Sequence, residues 1–182
     1  MTPETMSHQI LLAEDDPRDV ELTMTALDAH HLAHKVAVVS DGAEALDYLY
    51  RRGKYKTRKG GDPAVVLLDN HMPKVNGLEV LKVIKADEQL KSIPVVVLTS
   101  SRETPDLVEF YKHGVNAYVV KPVDFTDFIK AVSQLGIFWA GINEPPPLIR
   151  PEGWPNETPE EDTPENERLP NEISIAHPAS GG

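Results

Sequence analysis

Five apolar runs of four residues alternate along this chain with five stretches whose apolar residues recur every three or four positions. The runs are Ile10-Leu11-Leu12-Ala13, Val36-Ala37-Val38-Val39, Val65-Val66-Leu67-Leu68, Val95-Val96-Val97-Leu98 and Ala117-Tyr118-Val119-Val120. A run with no polar alternation suits a strand buried on both faces. Between and after them, Val20/Met24/Leu27, Leu46/Leu49/Tyr50, Leu78/Leu81/Ile84, Leu107/Val108/Tyr111 and Phe125/Phe128/Ile129/Val132 have helical spacing. Strict β-α alternation with right-handed crossovers predicts an α/β fold: a doubly wound five-stranded parallel sheet with five helices on its two faces.

Local chemistry supports those boundaries. Asp16 before Pro17 reads as a helix cap followed by a proline at the first helical position, with Asp19 in the first turn. Asp41 and Glu44 are spaced as a capping pair, and His113-Gly114 can close the fourth helix.

The polar residues that end these runs carry the chemistry. Glu14 and Asp15 follow the first run, Asp69 the third, Thr99 the fourth and Lys121 the fifth. Open α/β sheets bind ligands at the carboxyl ends of their strands. If the first and third strands are neighbours, three carboxylates face one crevice and each raises the others' pKa. A divalent cation relieves that repulsion. Oxygen donors without cysteine or paired histidine favour Mg²⁺, which keeps waters and binds phosphate alongside. A hydroxyl at Thr99 and an ammonium at Lys121 suit the oxygens of a phosphoryl group. The reaction that fits is phosphoryl transfer onto the Asp69 carboxylate. There is no Gly-x-x-x-x-Gly-Lys loop, so the donor is expected to be a partner or a small molecule, not ATP held by this chain. Singly, Asp69 could start a turn, Thr99 could cap one and Lys121 could be a surface lysine. Their coincidence at the ends of the right strands favours the joint reading.

The net charge of −11 is uneven: residues 1–143 hold 16 Lys+Arg against 20 Asp+Glu, and residues 144–182 hold 2 against 9. That balance argues against nucleic acid as a direct partner. The basic cluster Arg51, Arg52, Lys54, Lys56, Arg58 and Lys59 reads as a solvated loop. With no cysteine, no run of membrane-spanning length and no signal pattern, a cytoplasmic location is expected, with no membrane partner. The expected organisation is a flexible segment 1–7, a domain over 8–142 and a Pro-rich acidic extension, 143–182, largely disordered.

Four separated motifs now stand in order: AEDDP (Glu14, Asp15), LLDNHMPKVNG (Asp69), VVVLTSS (Thr99) and YVVKP (Tyr118, Lys121, Pro122). Over about residues 8–142 the chain resembles the CheY-like receiver domain of two-component response regulators. The resemblance implies a flavodoxin-like strand order 2-1-3-4-5, a bound Mg²⁺ and phosphotransfer from a sensor histidine kinase. It implies metal ligation by Glu14, Asp15, Asp69 and the carbonyl of His71. It further implies the phosphoryl group on Asp69, phosphate contacts from Thr99 and Lys121, a cis Lys121–Pro122 bond, and Tyr118 as the aromatic switch beside Thr99. The only chemistry implied is on the chain itself, phosphorylation and dephosphorylation, so it is not otherwise an enzyme. PVDFTDFIKAV followed by LGIFWAGINEPPP is similar to regulators partnered with phytochrome-type photoreceptor kinases.

The rival from another class is a pseudo-receiver, an interaction or dimerisation module that works without phosphate. A cofactor-binding flavodoxin relative or a hydrolase has no supporting loop or nucleophile elbow. Ile137, Phe138 and Trp139 cannot all face one core from a helix, so at least one of Ile137 and Phe138 is expected to be exposed or covered by a second protomer or the tail, and a homodimer contact is the favoured reading.

Overall fold

In a computed structural model, residues 10–100, 102–121 and 124–144 are described. The expectations for segments 1–7 and 145–182, and for the Lys121–Pro122 peptide bond, lie outside the described residues. Five strands, β1 (Ile10–Ala13), β2 (Val36–Val39), β3 (Val65–Asp69), β4 (Val95–Thr99) and β5 (Ala117–Val120), form one parallel sheet in the order β2-β1-β3-β4-β5. The helices are α1 (Pro17–Asp28), α2 (Gly42–Leu49), α3 (Gly77–Ala86), α4 (Thr104–Lys112) and α5 (Phe125–Ile137). The predicted architecture and order are those observed.

Side-chain alternation divides the core into two layers. Leu11, Ala13, Val66, Leu68, Val95 and Val97 pack with Val80, Leu81, Ile84 and Phe110, on the side of α2, α3 and α4. Ile10, Leu12, Val65, Leu67, Val96 and Leu98 pack with Ala26, Leu27, Phe128 and Val132, on the side of α1 and α5. Both faces are therefore dry, which is why the central runs show no polar alternation. The edge strands are less enclosed: β5 is half-buried throughout and Val38 of β2 is exposed.

Local signals account for the helix starts. The Asp16 carboxylate accepts from the Arg18 amide at 2.8 Å, and Pro17 opens α1. Asn76 and Glu79 form a full capping box at α3. At α2 the pair is displaced: Asp41 accepts from the Glu44 amide at 2.7 Å, but Glu44 reaches back to the Ser40 amide at 2.8 Å. Gly136 lets α5 close on α1, because a Cβ there would sit 2.4 Å from Leu27 Cδ2. Past α5 the chain widens into a π-helical turn, Phe138–Ile142, with the Asn143 amide donating to the Phe138 carbonyl at 2.7 Å.

In the basic loop Arg52, Lys54, Lys56 and Lys59 are exposed, as the solvated reading expects, but Arg51 and Arg58 depart from it. Arg51 is buried, at φ 53°, and its guanidinium donates to the carbonyls of Arg58 (3.2 Å) and Gly60 (2.5 Å). Arg58 lies over the Tyr48 ring at 4.3 Å and donates to the Gly61 carbonyl at 2.8 Å. Guanidiniums with several fixed donors knit a connection that has no regular ladder of its own. Composition alone does not distinguish that role from solvation.

Candidate functional site at the carboxyl edge of the sheet

The strand alternation places the site. Counting on from the core residues, Glu14, Asp69 and Lys121 share the parity of Ile10, Val65 and Ala117, which face α1 and α5. Thr99 and Tyr118 have the opposite parity. Backbone bonds hold the strand ends together just past the regular ladder: Glu14 N–H donates to the Val39 carbonyl at 3.0 Å, and Lys121 N–H to the Thr99 carbonyl at 2.7 Å.

Three carboxylates converge on one ammonium. Lys121 Nζ donates to Asp19 Oδ2 at 2.5 Å, Glu14 Oε2 at 2.7 Å and Asp69 Oδ1 at 3.0 Å. Glu14 and Asp69 are buried, and the Lys121 side chain is 10% exposed. Asp69 Oδ2 accepts from the His71 amide at 2.6 Å, which fixes the carboxylate's rotation. The loop after Asp69 folds tightly back: Gly77 N–H donates to the Asn70 carbonyl at 3.0 Å, and a Cβ on Gly77 would lie 2.4 Å from the Asp69 carbonyl oxygen. A larger residue at 77 would therefore move Asp69.

Oxygens of Glu14, Asp15 and Asp69 all lie within 4.8 Å of one another. Burial pushes the Glu14 carboxyl up to about 7, against the pull of the Lys121 hydrogen bond. Burial alone would lower Lys121, but its bonds to Asp19 and Glu14 and the charge of Asp69 outweigh that and hold it above the ordinary lysine range. The pocket thus carries more negative charge than one ammonium balances. An oxygen-only set with surplus negative charge fits a divalent cation such as Mg²⁺ or Mn²⁺.

The expected residues are distributed as follows. Glu14, Asp15, Asp69 and Lys121 are brought together. Thr99 is fully buried at the adjacent strand end. The His71 side chain is exposed, and its backbone, not its ring, meets Asp69. Tyr118 is half-buried, its ring 5.5 Å from that of Phe110 of α4, on the far side of the sheet from Lys121. Asp19 is the site residue that the sequence reading left as a first-turn acid. Strand parity supplies the missing signal: Lys121 points to the α1 side, where the first turn of α1 begins. Beside Asp19 and Lys121 lies an open cavity of about 350 Å³, lined also by Leu22, Ser100, Arg102, Phe125 and Phe128.

The family model described as response regulator receiver domain matches residues 10–133. The bacteriophytochrome response regulator AtBRR is 60% identical, with TM-score 0.62, covering 75% of this chain and 98% of its own. A phosphorylated cyanobacterial phytochrome response regulator, RcpA, is 36% identical with TM-score 0.71, covering 77% and 99%. The Mn²⁺-bound form of response regulator Rcp1 is 35% identical with TM-score 0.70 over the same shares; Rcp1 is a protein of Synechocystis.

Proposed function

This chain belongs to the response regulator receiver domain family of two-component signalling, and from that premise we propose that Asp69 accepts a phosphoryl group from a sensor histidine kinase. The supporting observation is the juxtaposition of a buried Asp69 with Lys121 at 3.0 Å beside Glu14 and Asp15. The P–N bond of the donor phosphohistidine breaks as a P–O bond forms to Asp69, and the imidazole keeps the electron pair. Hydrolysis returns Asp69 and releases phosphate. The chain is a signalling regulator, and its own chemistry is confined to that one residue.

Glu14, Asp15, Asp69 and the His71 carbonyl would hold Mg²⁺, which offsets charge on the transferring group. The chain's own part is orientation and charge. The His71 amide fixes one oxygen of Asp69, Lys121 faces the other, and Thr99 lies at the same rim to bind the phosphoryl group. Thr99 sits in β4, beside β5 and its Tyr118, so a pull on Thr99 can re-aim the α4–β5–α5 face. That face already exposes Leu107, Val108, Tyr111 and Phe125. The relatives' names favour a phytochrome-type kinase as donor. Phe138 at 46% and Ile142 at 66% exposure support a homodimer contact at the end of α5.

The test is intact-mass spectrometry after acetyl phosphate and Mg²⁺. One phosphoryl group is expected on the native chain and none on Asp69→Asn, with size-exclusion chromatography of both reading dimerisation. An adduct retained on Asp69→Asn would sink the assignment. A native chain that binds Mg²⁺ yet takes no phosphoryl group from acetyl phosphate or kinase would instead point to a pseudo-receiver.

A further inference from the structure

Lys121 has three donors and three carboxylate partners, and they are not equivalent. Glu14 and Asp69 belong to the oxygen cluster suited to a cation; Asp19 does not. Yet Asp19 makes the shortest contact, 2.5 Å against 2.7 and 3.0 Å. It stands on the first turn of α1, a helix started by Pro17 and capped by Asp16, so the backbone fixes its position. Its carboxylate also lines the open cavity that Lys121 borders.

We propose that Asp19 is a positioning residue that draws the Lys121 ammonium away from Asp69 and competes for it with the phosphoryl group. This rests on Asp69 being the phosphoryl acceptor. One negative charge then acts on two ligands with opposite sign. It favours a cation held by Glu14, Asp15 and Asp69, and it gives Lys121 an alternative partner when these carboxylates are engaged. It disfavours the phosphoryl group, both by repulsion and by holding its counter-ion. Asp19 therefore limits how long Asp69 stays phosphorylated.

The full chain is compared with Asp19→Asn, which keeps shape and loses charge, and with Asp19→Glu, which restores charge. Calorimetric titration with Mg²⁺ is expected to show about three- to tenfold weaker affinity in Asp19→Asn. At saturating Mg²⁺, after acetyl phosphate is removed, hydrolysis proceeds as water forms a new O–P bond and the Asp69 O–P bond breaks. The half-life of the adduct is expected to lengthen by about three- to tenfold, with Asp19→Glu moving both values back towards native. Thermal melts confirm that the variants fold. A purely structural Asp19 would weaken both properties or neither, so a parallel loss, or an unchanged half-life with native phosphorylation intact, overturns the proposal. A native chain that takes no phosphoryl group fails at Asp69 itself, a distinct result from failure at Asp19.

Discussion

Two clusters of acids and lysines flank the sheet's carboxyl edge, and they are solved in opposite ways. At the start of α2, Asp41 pairs with Lys74 at 2.5 Å, while Glu44 pairs with Lys54 and accepts from the Tyr55 hydroxyl at 2.7 Å. Each acid has its own cation. Burial would raise both carboxyls, but the bonds from Lys74 and the Glu44 amide hold Asp41 low, and those from Lys54, Ser40 and Tyr55 bring Glu44 down to about 2. Across β1, Glu14, Asp19 and Asp69 share Lys121, and burial raises Glu14 to about 7. A balanced cluster serves as structure. A surplus of buried carboxylates costs stability and is kept for a ligand that supplies positive charge.

The largest test removes the shared cation. Lys121→Met leaves Glu14 and Asp69 buried without their partner and should destabilise the fold by about 3–5 kcal/mol at pH 7.5 without divalent cations. Urea unfolding measures it, and millimolar Mg²⁺ should return part of the loss by binding the folded state. A loss below about 1 kcal/mol would mean the carboxylates had already found water or protons, and the contrast between the clusters would collapse.

A second test uses pH, where the clusters should give slopes of opposite sign. Glu44 has a folded pKa near 2, below its unfolded value, so the folded state binds fewer protons. Its contribution is complete above about pH 4.5 and fades as pH falls towards 2. The pair is partly exposed, so screening limits this to about 0.5–1 kcal/mol. Glu14 is raised, so the folded state binds more protons between about pH 4.5 and 7, and stability should fall as pH rises through that range. Without divalent cations, Glu14→Gln should flatten that fall, worth about 1–2 kcal/mol, and Glu44→Gln the acid limb. Denaturant midpoints across pH 2–8 would read both. A stability that rises between pH 5 and 7 and is unaltered by Glu14→Gln contradicts the crowded-carboxylate account.

Much of this contrast was legible in the chain itself. The unbroken apolar runs at Val65–Leu68 and Val95–Leu98 demand burial on two faces, which only a sheet covered on both sides provides. The polar residues after the first, third, fourth and fifth runs, Glu14, Asp15, Asp69, Thr99 and Lys121, then fall at one edge by topology. What escaped was where individual long side chains find their partners. Asp19 looked like an ordinary first-turn acid because helix-capping chemistry explains it without Lys121, 102 residues away. Arg51 and Arg58 looked solvated because a basic run is usually a solvated one. Their hydrogen bonds depend on where the carbonyls of Arg58, Gly60 and Gly61 point, which no local pattern announces. Lys121 reaches a residue of another element, while Arg51 and Arg58 reach carbonyls of their own connection. The periodicity that reveals strands and helices carries no information about such reach.

The smallest effect separates the ion pair from the backbone that presents it. Lys74 sits at φ 66°, in the left-handed region, and pairs with Asp41 while remaining mostly exposed. Next to it, the carbonyl of Val75 presses so closely on α2 that a Cβ on Gly42 would lie 2.0 Å from its oxygen. If the pair holds this loop, Lys74→Ala loses it while keeping an unfavourable φ, and the denaturant midpoint should drop slightly. Lys74→Gly loses the same pair but relieves the backbone, offset by the greater freedom of glycine when unfolded. It should therefore lie close to native and above the alanine variant. The Ala–Gly difference measures backbone strain, and the Gly–native difference bounds the ion pair. Equal losses in both would assign the whole effect to the pair. The balanced cluster would then hold the loop that carries Asp69 by charge alone, bringing it closer in kind to the crowded one.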